Sequence, residues 1–559
     1  MATVSETLEE LTEKVEGAAF SAAMSTDSQK LMKSLNMIMQ EAISEPRAVA
    51  NASSEMLQEM AKVLAGSSEL EPDEWDVRFR DESWRENPVY KRLGQGYLAW
   101  SNALDSWLDN SNLEGINRQR AEFILRVIKE AGAPPNTLLG NPEALKKAWE
   151  SRGGTLLKGA RRFINDWRQN NGFPAAAERD HFKVGVDVAI TKGSVIFRDK
   201  LMEVIHYVPT TDKVHEVPFL YVFSQVNRYY LGDLTPERSL MKELLDEGFQ
   251  VFTISWKNPT RENRDWDAGT YADGVIRTID IIREITGAPK VNMMGLCAGG
   301  LSTTLAAGVL QQRGIDTVNS MSLVVNILDF QPEDSDFGLF VSASTVRATR
   351  ARMRIQGLMT ERDVAQMFSW LRPEENIFAF LRNNYLLGGN LIKHPLLVWS
   401  MDNVRLPAGL FEDFTGLSYD NKLAQGEFEV LGERIDLSQV KYDVYLASGV
   451  TDHITPWKGG YRSTQLFGGD IEFVLSNQGH TALISSKITD PKLKYWRSET
   501  LPETSEEWMK VAEEHQGEWR KHWIDWLKPR SGKMIAAPKQ VGNDKYRRLM
   551  AAPGGYVLE

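Results

Sequence analysis

The sequence contains 559 residues, a formal net charge of −11 at pH 7 and one cysteine. This length predicts two or three domains, and the acidic balance without a dense basic tract excludes a generic nucleic-acid-binding protein. A single cysteine excludes an intramolecular disulfide and a cysteine-based zinc cluster, which is typical of a reducing compartment. The sequence shows neither a secretory signal nor an uninterrupted apolar run of about 20 residues, so we expect a cytoplasmic protein without a transmembrane helix.

The amino-terminal third of the chain has helical periodicity without catalytic spacing. Residues 1–70 are polar and only weakly periodic, which predicts a mobile or loosely docked segment. In residues 71–180, apolar side chains recur at steps of three and four, as at Tyr90, Leu93 and Tyr97. We therefore expect residues 71–180 to form a helical accessory domain.

From residue 181 to residue 559 the pattern changes to strands that alternate with helices. Apolar runs predict strands at 195–197, 201–207, 219–223, 251–256, 291–296, 323–328, 444–447 and 473–475. Such alternation predicts a mostly parallel sheet covered on both faces, with ligands at the carboxyl ends of the strands. Near the carboxyl terminus, tryptophans at helical spacing predict a helix that packs on the core, namely Trp508, Trp519, Trp523 and Trp526.

Helical and aromatic residues between about 330 and 440 interrupt this alternation. An insertion at this point predicts a cap over the active site. The alternative is a peripheral lobe unrelated to access, because position in a fold does not fix function.

A predicted strand at residues 291–296 runs directly into Gly295-Leu296-Cys297-Ala298-Gly299-Gly300 and then into a segment compatible with a helix. This layout is typical of a nucleophile elbow, the sharp strand-to-helix turn that presents a catalytic side chain. Cys297 would lie at a helix amino terminus, where the helix dipole favours a thiolate. We therefore predict that Cys297 is a nucleophile; the alternative is a small buried cysteine on a core strand.

A nucleophile needs a base, and the base needs an orienting group. In an α/β-hydrolase fold the chain order is nucleophile, acid, histidine, and this order is met by Cys297, Asp452 and His480. His453 is a possible auxiliary base because it adjoins the acid, although a structural role suits it better. For the oxyanion hole we predict the backbone N–H groups of Ala298 and Val226. No motif predicts a metal site.

These motifs resemble those of the polyhydroxyalkanoate synthases. The chain is similar to that family from about residue 85 to its end, and most similar to the single-subunit type that acts on medium-length acyl chains. The resemblance rests on the cysteine-containing lipase-like box and on further motifs: Asn227-Arg228-Tyr229-Tyr230, Ser255-Trp256-Lys257-Asn258-Pro259, Trp370-Leu371-Arg372-Pro373, Asn383-Asn384-Tyr385-Leu386-Leu387-Gly388, Asp452-His453-Ile454-Thr455-Pro456-Trp457, Gly479-His480 and Ala552-Pro553-Gly554-Gly555-Tyr556-Val557.

The resemblance implies an α/β-hydrolase catalytic domain over residues 181–559 that polymerises (R)-3-hydroxyacyl-CoA into polyhydroxyalkanoate. Cys297 would be the acylated nucleophile, His480 the base and Asp452 its partner. The family also implies a homodimer that acts on a growing polyester chain at the surface of cytoplasmic polymer granules. It implies no resident cofactor, because CoA arrives with the substrate and is released.

The sequence departs from the family pattern at four places near the predicted site. Phe223-Ser224 replaces a Pro-Pro pair and Arg228 replaces a Lys. Asn326 replaces a small hydroxyl residue, and Ser485 to Pro491 replaces an Asn-Pro-Pro segment. Two alternatives to the synthase therefore stay open. One is a cysteine-dependent acyl-CoA thioesterase or hydrolase with the same triad. The other is a catalytically weak, granule-associated protein.

Overall fold

The computed structural model describes residues 38–170, 172–336, 338–340, 343–487 and 489–559. Most of the predicted amino-terminal segment, residues 1–37, lies outside the described residues. The chain forms two compact units: residues 1–178 with 365–393, and residues 179–364 with 394–559. We refer to them as unit 1 and unit 2.

The α-helices are numbered in chain order over the described residues. They are α1 Pro46–Ala65, α2 Ser83–Glu86, α3 Pro88–Asp109, α4 Gly115–Ala131, α5 Pro142–Glu150, α6 Gly154–Gln169, α7 Leu240–Asp246, α8 Ala268–Thr286, α9 Ala298–Gln312, α10 Ala343–Gln356, α11 Glu361–Leu371, α12 Ala379–Leu381, α13 Pro395–Ser400, α14 Ala408–Asp420, α15 Trp457–Arg462, α16 Ala482–Ser485, α17 Ser505–Val511 and α18 Trp519–Leu527. Two π-helical turns, Glu374–Phe378 and Arg382–Leu386, flank α12.

The strands are numbered in the same way. They are β1 Gly193–Arg198, β2 Met202–Tyr207, β3 Lys213–His215, β4 Phe219–Val222, β5 Val251–Trp256, β6 Val291–Leu296, β7 Val318–Val324, β8 Leu358–Met359, β9 Leu406–Pro407, β10 Glu429–Val430, β11 Glu433–Arg434, β12 Asp443–Gly449, β13 Ile471–Ser476, β14 Lys494–Arg497, β15 Glu513–Gln516, β16 Met534–Ala536 and β17 Met550–Ala551.

Unit 1 consists of helices that pack through their apolar stripes. Helix α3 begins at Pro88, and the side chain of Asn87 accepts the N–H groups of Val89 and Tyr90, which caps the helix. A core cluster around Trp107 and Leu125 joins α1, α3 and α4. The helical periodicity predicted for this part of the chain is therefore confirmed where the structure describes it.

Residues 365–393, which belong to the predicted cap, group with unit 1. The hydroxyl of Tyr385 donates to Asp166 at 2.9 Å, and Asn384 Nδ2 donates to the Ala175 carbonyl at 2.8 Å. The rest of the region from 330 to 440 groups with unit 2. The predicted domain boundaries and the role of a cap stay predictions.

Unit 2 is built on a sheet that, among the described residues, has 11 strands in the order β15-β14-β13-β12-β7-β6-β4-β5-β2-β1-β17. Strands β5, β4, β6, β7, β12 and β13 pair in parallel, and the strands at both edges pair antiparallel. The central strands are buried along nearly their whole length, as near-continuous apolar runs require. Five of the ten pairings between the neighbouring strands that the structure describes are parallel, so the sheet is mixed. The six central strands are parallel, as the alternation of strands and helices predicts, and the antiparallel strands lie at both edges.

The prediction of a strand at 323–328 is wrong in its bounds, because the strand lies nearer the amino terminus. In the structure β7 begins at Val318 and ends at Val324, because Val325 adopts a φ of +46° and leaves the sheet. The tryptophan-rich carboxyl-terminal segment forms two helices, α17 and α18, with strand β15 between them. Trp508, Trp519 and Trp523 are fully buried, as the predicted packing on the core requires.

Candidate active site

Cys297 connects strand β6, which ends at Leu296, to helix α9, which begins at Ala298. Its backbone has φ +53° and ψ −128°, a strained conformation that costs about 1–3 kcal/mol for a residue with a side chain. The Cys297 N–H donates to the Val324 carbonyl at 3.0 Å, and the Cys297 carbonyl accepts from Gly300 N–H and Asn326 Nδ2, both at 2.8 Å. Neighbouring backbone and one amide side chain therefore hold the strained turn in place.

The glycines of this turn are required by close approach of backbone. A Cβ on Gly299 would lie 2.4 Å from the Val222 carbonyl oxygen at the end of β4. A Cβ on Gly295 would lie 2.5 Å from Gly300 Cα. Distances below about 3 Å do not occur for real Cβ atoms, so these positions exclude every larger residue. The residue with left-handed backbone is Cys297 itself.

Asp452 follows strand β12, and its side chain is fully buried. Its Oδ1 accepts the N–H groups of Ile454 and Thr455, each at 2.9 Å, and its Oδ2 accepts the Thr455 hydroxyl at 2.7 Å. Burial opposes ionisation, but the charge and hydrogen bond of His480 and the bonds from Thr455 outweigh it and lower the pKa of Asp452. The carboxylate is therefore ionised and fixed in one orientation.

His480 follows strand β13, and its Nδ1 donates to Asp452 Oδ2 at 2.8 Å. Because an ionised carboxylate only accepts, Nδ1 carries the proton and Nε2 is the working nitrogen. Burial disfavours the imidazolium, but the charges of Asp452 and Cys297, and hydrogen bonds to both side chains, raise the pKa of His480 well above its ordinary value. The structure thus brings together the three side chains that the sequence predicted as a triad.

Thr455 belongs to this site, although the sequence analysis gave it no role. Its hydroxyl donates to Asp452 and lies 3.2 Å from His480 Nδ1. The signal available in the sequence is the spacing of Asp452 and Thr455, because an aspartate at the start of a turn accepts the N–H groups two and three residues on. Thr455 therefore helps to fix both the acid and the imidazole.

The two predicted oxyanion donors differ in their surroundings. Ala298 is the first residue of α9, so its N–H lies at the positive end of a helix dipole. The Val226 N–H donates to the Ser224 hydroxyl at 3.1 Å, so it can reach an oxyanion only if that bond opens. Gln225 lies between Ser224 and Val226 in the same loop, and its side-chain amide donates to the Ser302 hydroxyl at 2.7 Å. Both oxyanion assignments stay predictions.

His453 is half-buried and adjoins Asp452 in the chain. The imidazole that orients on the Asp452 carboxylate is that of His480. An auxiliary role for His453 stays a prediction.

Hydrogen bonds to segments that are distant in sequence fix the loop after β4. Arg228 Nη1 donates to the Tyr556 carbonyl at 3.0 Å, and the hydroxyl of Tyr229 donates to the Pro553 carbonyl at 3.2 Å. Trp399 Nε1 donates to the Arg228 carbonyl at 2.8 Å. Two sequence motifs that gave the resemblance, residues 227–230 and 552–557, therefore meet at one place in unit 2, and Trp399 adds a third contact there.

The described residues 38–170, 172–336, 338–340, 343–487 and 489–559 contain neither a metal-binding cluster nor a membrane-spanning helix. In that part of the chain, no group of three or more His, Cys, Asp and Glu side chains is arranged to hold a metal ion. Among the same residues, no helix has the length and apolar character needed to cross a membrane.

Two known protein families match most of this chain. Residues 75–244 match the family described as the amino terminus of poly-beta-hydroxybutyrate polymerase (PhaC), and residues 230–487 match the alpha/beta hydrolase fold. The second match confirms the predicted fold class.

Curated relatives extend the similarity over nearly the full sequence. Poly(3-hydroxyalkanoate) polymerase 1 of Ectopseudomonas oleovorans is 38% identical over 95% of this chain and 94% of its own length. Polymerase 2 of the same organism is 36% identical over 94% of each chain. The poly(3-hydroxyalkanoate) polymerase subunit PhaC of Cupriavidus necator is 33% identical over 86% of this chain and 83% of its own.

Proposed function

Because this chain belongs to the poly(3-hydroxyalkanoate) polymerase family, we propose that it polymerises (R)-3-hydroxyacyl-CoA by covalent acyl transfer through Cys297, His480 and Asp452. Membership of that family makes the chain an acyltransferase that polymerises hydroxyalkanoates. One observation supports the catalytic assignment most directly. His480 contacts the Asp452 carboxylate at 2.8 Å and also the side chain of Cys297, which lies in the strained turn between β6 and α9.

The first step is acylation of the cysteine. The raised pKa of His480 favours an imidazolium facing a Cys297 thiolate, the reactive form of the nucleophile. The thiolate sulfur attacks the thioester carbonyl of the (R)-3-hydroxyacyl-CoA, and the bond between that carbonyl carbon and the CoA sulfur breaks. His480 gives its proton to the departing CoA sulfur, so the products are acyl-Cys297, free CoA and a neutral imidazole.

The second step extends the polyester. Neutral His480 takes the proton from the 3-hydroxyl of another acyl unit, and the resulting oxygen attacks the carbonyl of acyl-Cys297. An ester bond forms, the carbon–sulfur bond to Cys297 breaks, and the thiolate–imidazolium pair is restored. Because this sequence holds one cysteine, growth on one thiol with a transiently free or CoA-bound intermediate is simpler than transfer between two thiols.

Both steps pass through a tetrahedral oxyanion. The Ala298 N–H at the start of α9 is the donor that we assign to it, since a backbone N–H at a helix amino terminus favours negative charge. Asp452 keeps His480 in the tautomer that leaves Nε2 free to exchange protons. The chemistry uses side chains, backbone and the CoA thioester of the substrate, without a resident cofactor.

The test is CoA release from (R)-3-hydroxyacyl-CoA of several chain lengths, with the acyl product sized in the same tubes. We expect CoA release together with polymer, and loss of both in Cys297→Ala. Release with only free hydroxy acid would instead identify a thioesterase, and no release at any chain length would support the catalytically weak, granule-associated protein. Full activity of Cys297→Ala would overturn the nucleophile assignment.

Family membership also leads us to propose a homodimer at the surface of cytoplasmic polymer granules. Sedimentation of the purified chain, with and without substrate, tests the dimer. Imaging of a fluorescent fusion in cells that accumulate polymer tests the location, and a signal that stays diffuse would contradict it.

A further inference from the structure

Four successive backbone carbonyls follow His480, and each accepts a hydrogen bond from a side chain outside its own loop. We call residues 477–486 the histidine loop; it contains His480 and helix α16. Trp519 Nε1 donates to the Leu483 carbonyl at 3.2 Å, and Arg238 Nη1 donates to the Ser485 carbonyl at 2.6 Å. The other two carbonyls, of Ile484 and Ser486, accept from one residue.

That residue is Arg520, the second residue of α18. Its Nη1 donates to the Ile484 carbonyl and its Nη2 to the Ser486 carbonyl, each at 2.9 Å. A short helix leaves its last carbonyls without partners inside the helix, and here Leu483, Ile484 and Ser485 are buried while Ser486 is half-buried. Since buried carbonyls need partners, the guanidinium fixes where this end of α16 can lie.

Helix α16 in turn fixes the backbone on either side of His480. The Leu483 N–H donates to the Gly479 carbonyl at 3.1 Å, and the Ser485 N–H donates to the Thr481 carbonyl at 3.0 Å. A displacement of α16 is therefore transmitted directly to the peptide groups that flank the imidazole. His480 must contact both Asp452 and Cys297, so such a displacement would disturb the triad.

The guanidinium is itself held by two carboxylates. Arg520 is 1% exposed, its Nε lies 2.9 Å from Glu518 Oε1, and its Nη1 lies 3.4 Å from Glu243 Oε2. Glu518 also accepts the Arg520 N–H and so caps α18. Burial raises the pKa of both carboxyls, that of Glu243 to about 7, and the positive charge of Arg520 is the largest effect that opposes this rise.

A buried ionic cluster is weak evidence for stability, because apolar residues of similar volume often stabilise a core as well or better. What an apolar residue cannot do is donate two hydrogen bonds in fixed directions. A planar guanidinium does this, and a lysine ammonium at the end of a flexible chain does not reproduce it. A need to position the carbonyls of the histidine loop therefore explains the buried Arg520 cluster better than a need for stability does.

We infer that Arg520 is a positioning residue for catalysis, which holds the histidine loop so that His480 reaches Cys297 and Asp452. The inference rests on the proposed role of His480 as the base of Cys297. Arg238 has the same function to a smaller extent, through its single bond to the Ser485 carbonyl.

The test uses Arg520→Met, Arg520→Lys and Arg238→Gln. Arg530→Gln is the matched control, because Arg530 donates to one carboxylate and one carbonyl, those of Asp443 and Trp526, rather than to the histidine loop. Two quantities are measured: kcat and KM for CoA release, and the rate constant for alkylation of Cys297 by iodoacetamide over a range of pH. Alkylation reports the Cys297–His480 pair without requiring polymerisation.

For Arg520→Met we expect kcat to fall about 10²-fold with KM within about threefold, since misplacement of a catalytic group by about 1 Å has this effect. Alkylation should slow and its pH profile should shift. Arg520→Lys should recover part of the lost rate. Arg238→Gln should lower kcat about threefold to tenfold, as the loss of one hydrogen bond predicts, and Arg530→Gln should leave both quantities unchanged.

Wild-type kcat and alkylation in Arg520→Met would overturn the inference. So would an equal loss in Arg530→Gln, because the effect would then follow general destabilisation. If Arg520→Met does not fold, Arg238→Gln decides, and an unchanged kcat there is the contrary result. If the wild type releases no CoA, the proposed function fails, while the alkylation profiles still decide whether Arg520 positions His480.

Discussion

The elbow, residues 295–300, and the histidine loop, residues 477–486, are constrained in different ways. The elbow is held mainly by backbone: glycines that admit no Cβ, and a hydrogen bond to the Val324 carbonyl at the end of β7, with Asn326 as a side-chain donor. The histidine loop is held by side chains that come from as far away in sequence as Arg238. The position of Cys297 thus depends mainly on excluded volume between backbone segments, and the position of His480 depends on side-chain hydrogen bonds from distant segments.

This difference predicts different responses to substitution. Backbone constraints act through excluded volume, so even an added methyl group is not accommodated without movement. Side-chain constraints are shared among several donors, so the loss of one donor is partly compensated by the others. Substitution of an elbow glycine should therefore cause a large loss of activity. Substitution of one side chain that donates to the histidine loop should cause a partial loss.

Among variants that keep Cys297, the largest loss of activity should follow from Asp452→Asn, which changes the acid that orients His480. The amide would leave His480 without the charge that raises its pKa and would favour the wrong tautomer. In a triad this change lowers kcat about 10⁴-fold. Measurement of kcat and KM for CoA release checks the prediction.

The control for this variant is a circular-dichroism melt, which separates loss of chemistry from loss of fold. A decrease of less than about tenfold, with an unchanged melt, would contradict the role of Asp452 as the orienting acid.

Gly299→Ala tests the elbow. The new Cβ would lie 2.4 Å from the Val222 carbonyl oxygen and 2.7 Å from the Phe223 carbonyl oxygen, so β4 and α9 would have to separate. We expect kcat to fall about 10²-fold, because Cys297 moves with the start of α9. Single-turnover acylation of the variant, compared with wild type, measures the effect.

Gly96→Ala is the matched control. Its Cβ would meet the Met60 side chain at an ordinary 3.6 Å, and Gly96 lies inside helix α3. Alanine there should leave kcat unchanged and stabilise the helix by about 0.5–1 kcal/mol. Wild-type acylation in Gly299→Ala would show that the elbow tolerates expansion and would remove the contrast between the two halves.

The same contrast explains what the sequence could and could not predict. Cys297 could be predicted as a nucleophile because the sequence pattern around it lies within a few residues: a buried strand, two glycines at fixed offsets and a helix. Asp452 and His480 were identifiable from chain order, since both follow late strands. The structure places His480 in contact with both Asp452 and Cys297, while the catalytic roles of the three residues stay predictions.

The long-range constraints left no readable pattern. Arg520 lies 40 residues after His480 in a segment where only the tryptophan spacing was informative, and nothing local indicates that its guanidinium faces the Ile484 carbonyl. The end of β7 was misplaced for a related reason. The run from Leu323 to Leu328 is apolar except at Asn326, so hydrophobicity alone does not show that the backbone turns at Val325.

Thr455→Val should give a smaller loss on the histidine side. Valine has nearly the same shape but removes the hydroxyl that donates to Asp452 Oδ2 at 2.7 Å, while the backbone N–H groups and His480 still donate. A hydrogen bond to a charged group is worth about 1.5–3 kcal/mol, and we expect the lower end of this range, a decrease in kcat of about tenfold, because the other donors to Asp452 remain. Thr455→Ser, which keeps the hydroxyl, should retain most of the activity, and equal losses in both variants would show that the methyl group matters instead.

The smallest expected effect is on the pH dependence of stability. The pKa of His480 is raised in the folded chain, so its contribution is complete below its unfolded value of about 6.5 and is lost as pH rises through the folded value. The pKa of Asp452 is lowered, so its contribution is complete above about 3.9 and is lost as pH falls through the folded value. The pair therefore stabilises most between about pH 4 and pH 6.5.

Melting temperatures of wild type and His480→Gln, measured from pH 4 to pH 9, check this window. The difference between the two should be a few degrees at pH 5–6 and should narrow as the pH rises above about 6.5. Asp452→Asn should show a difference that narrows toward low pH. A difference that grows with pH in His480→Gln would mean that the folded chain holds His480 neutral. That result would contradict the proposed thiolate–imidazolium pair, on which the first acyl transfer depends.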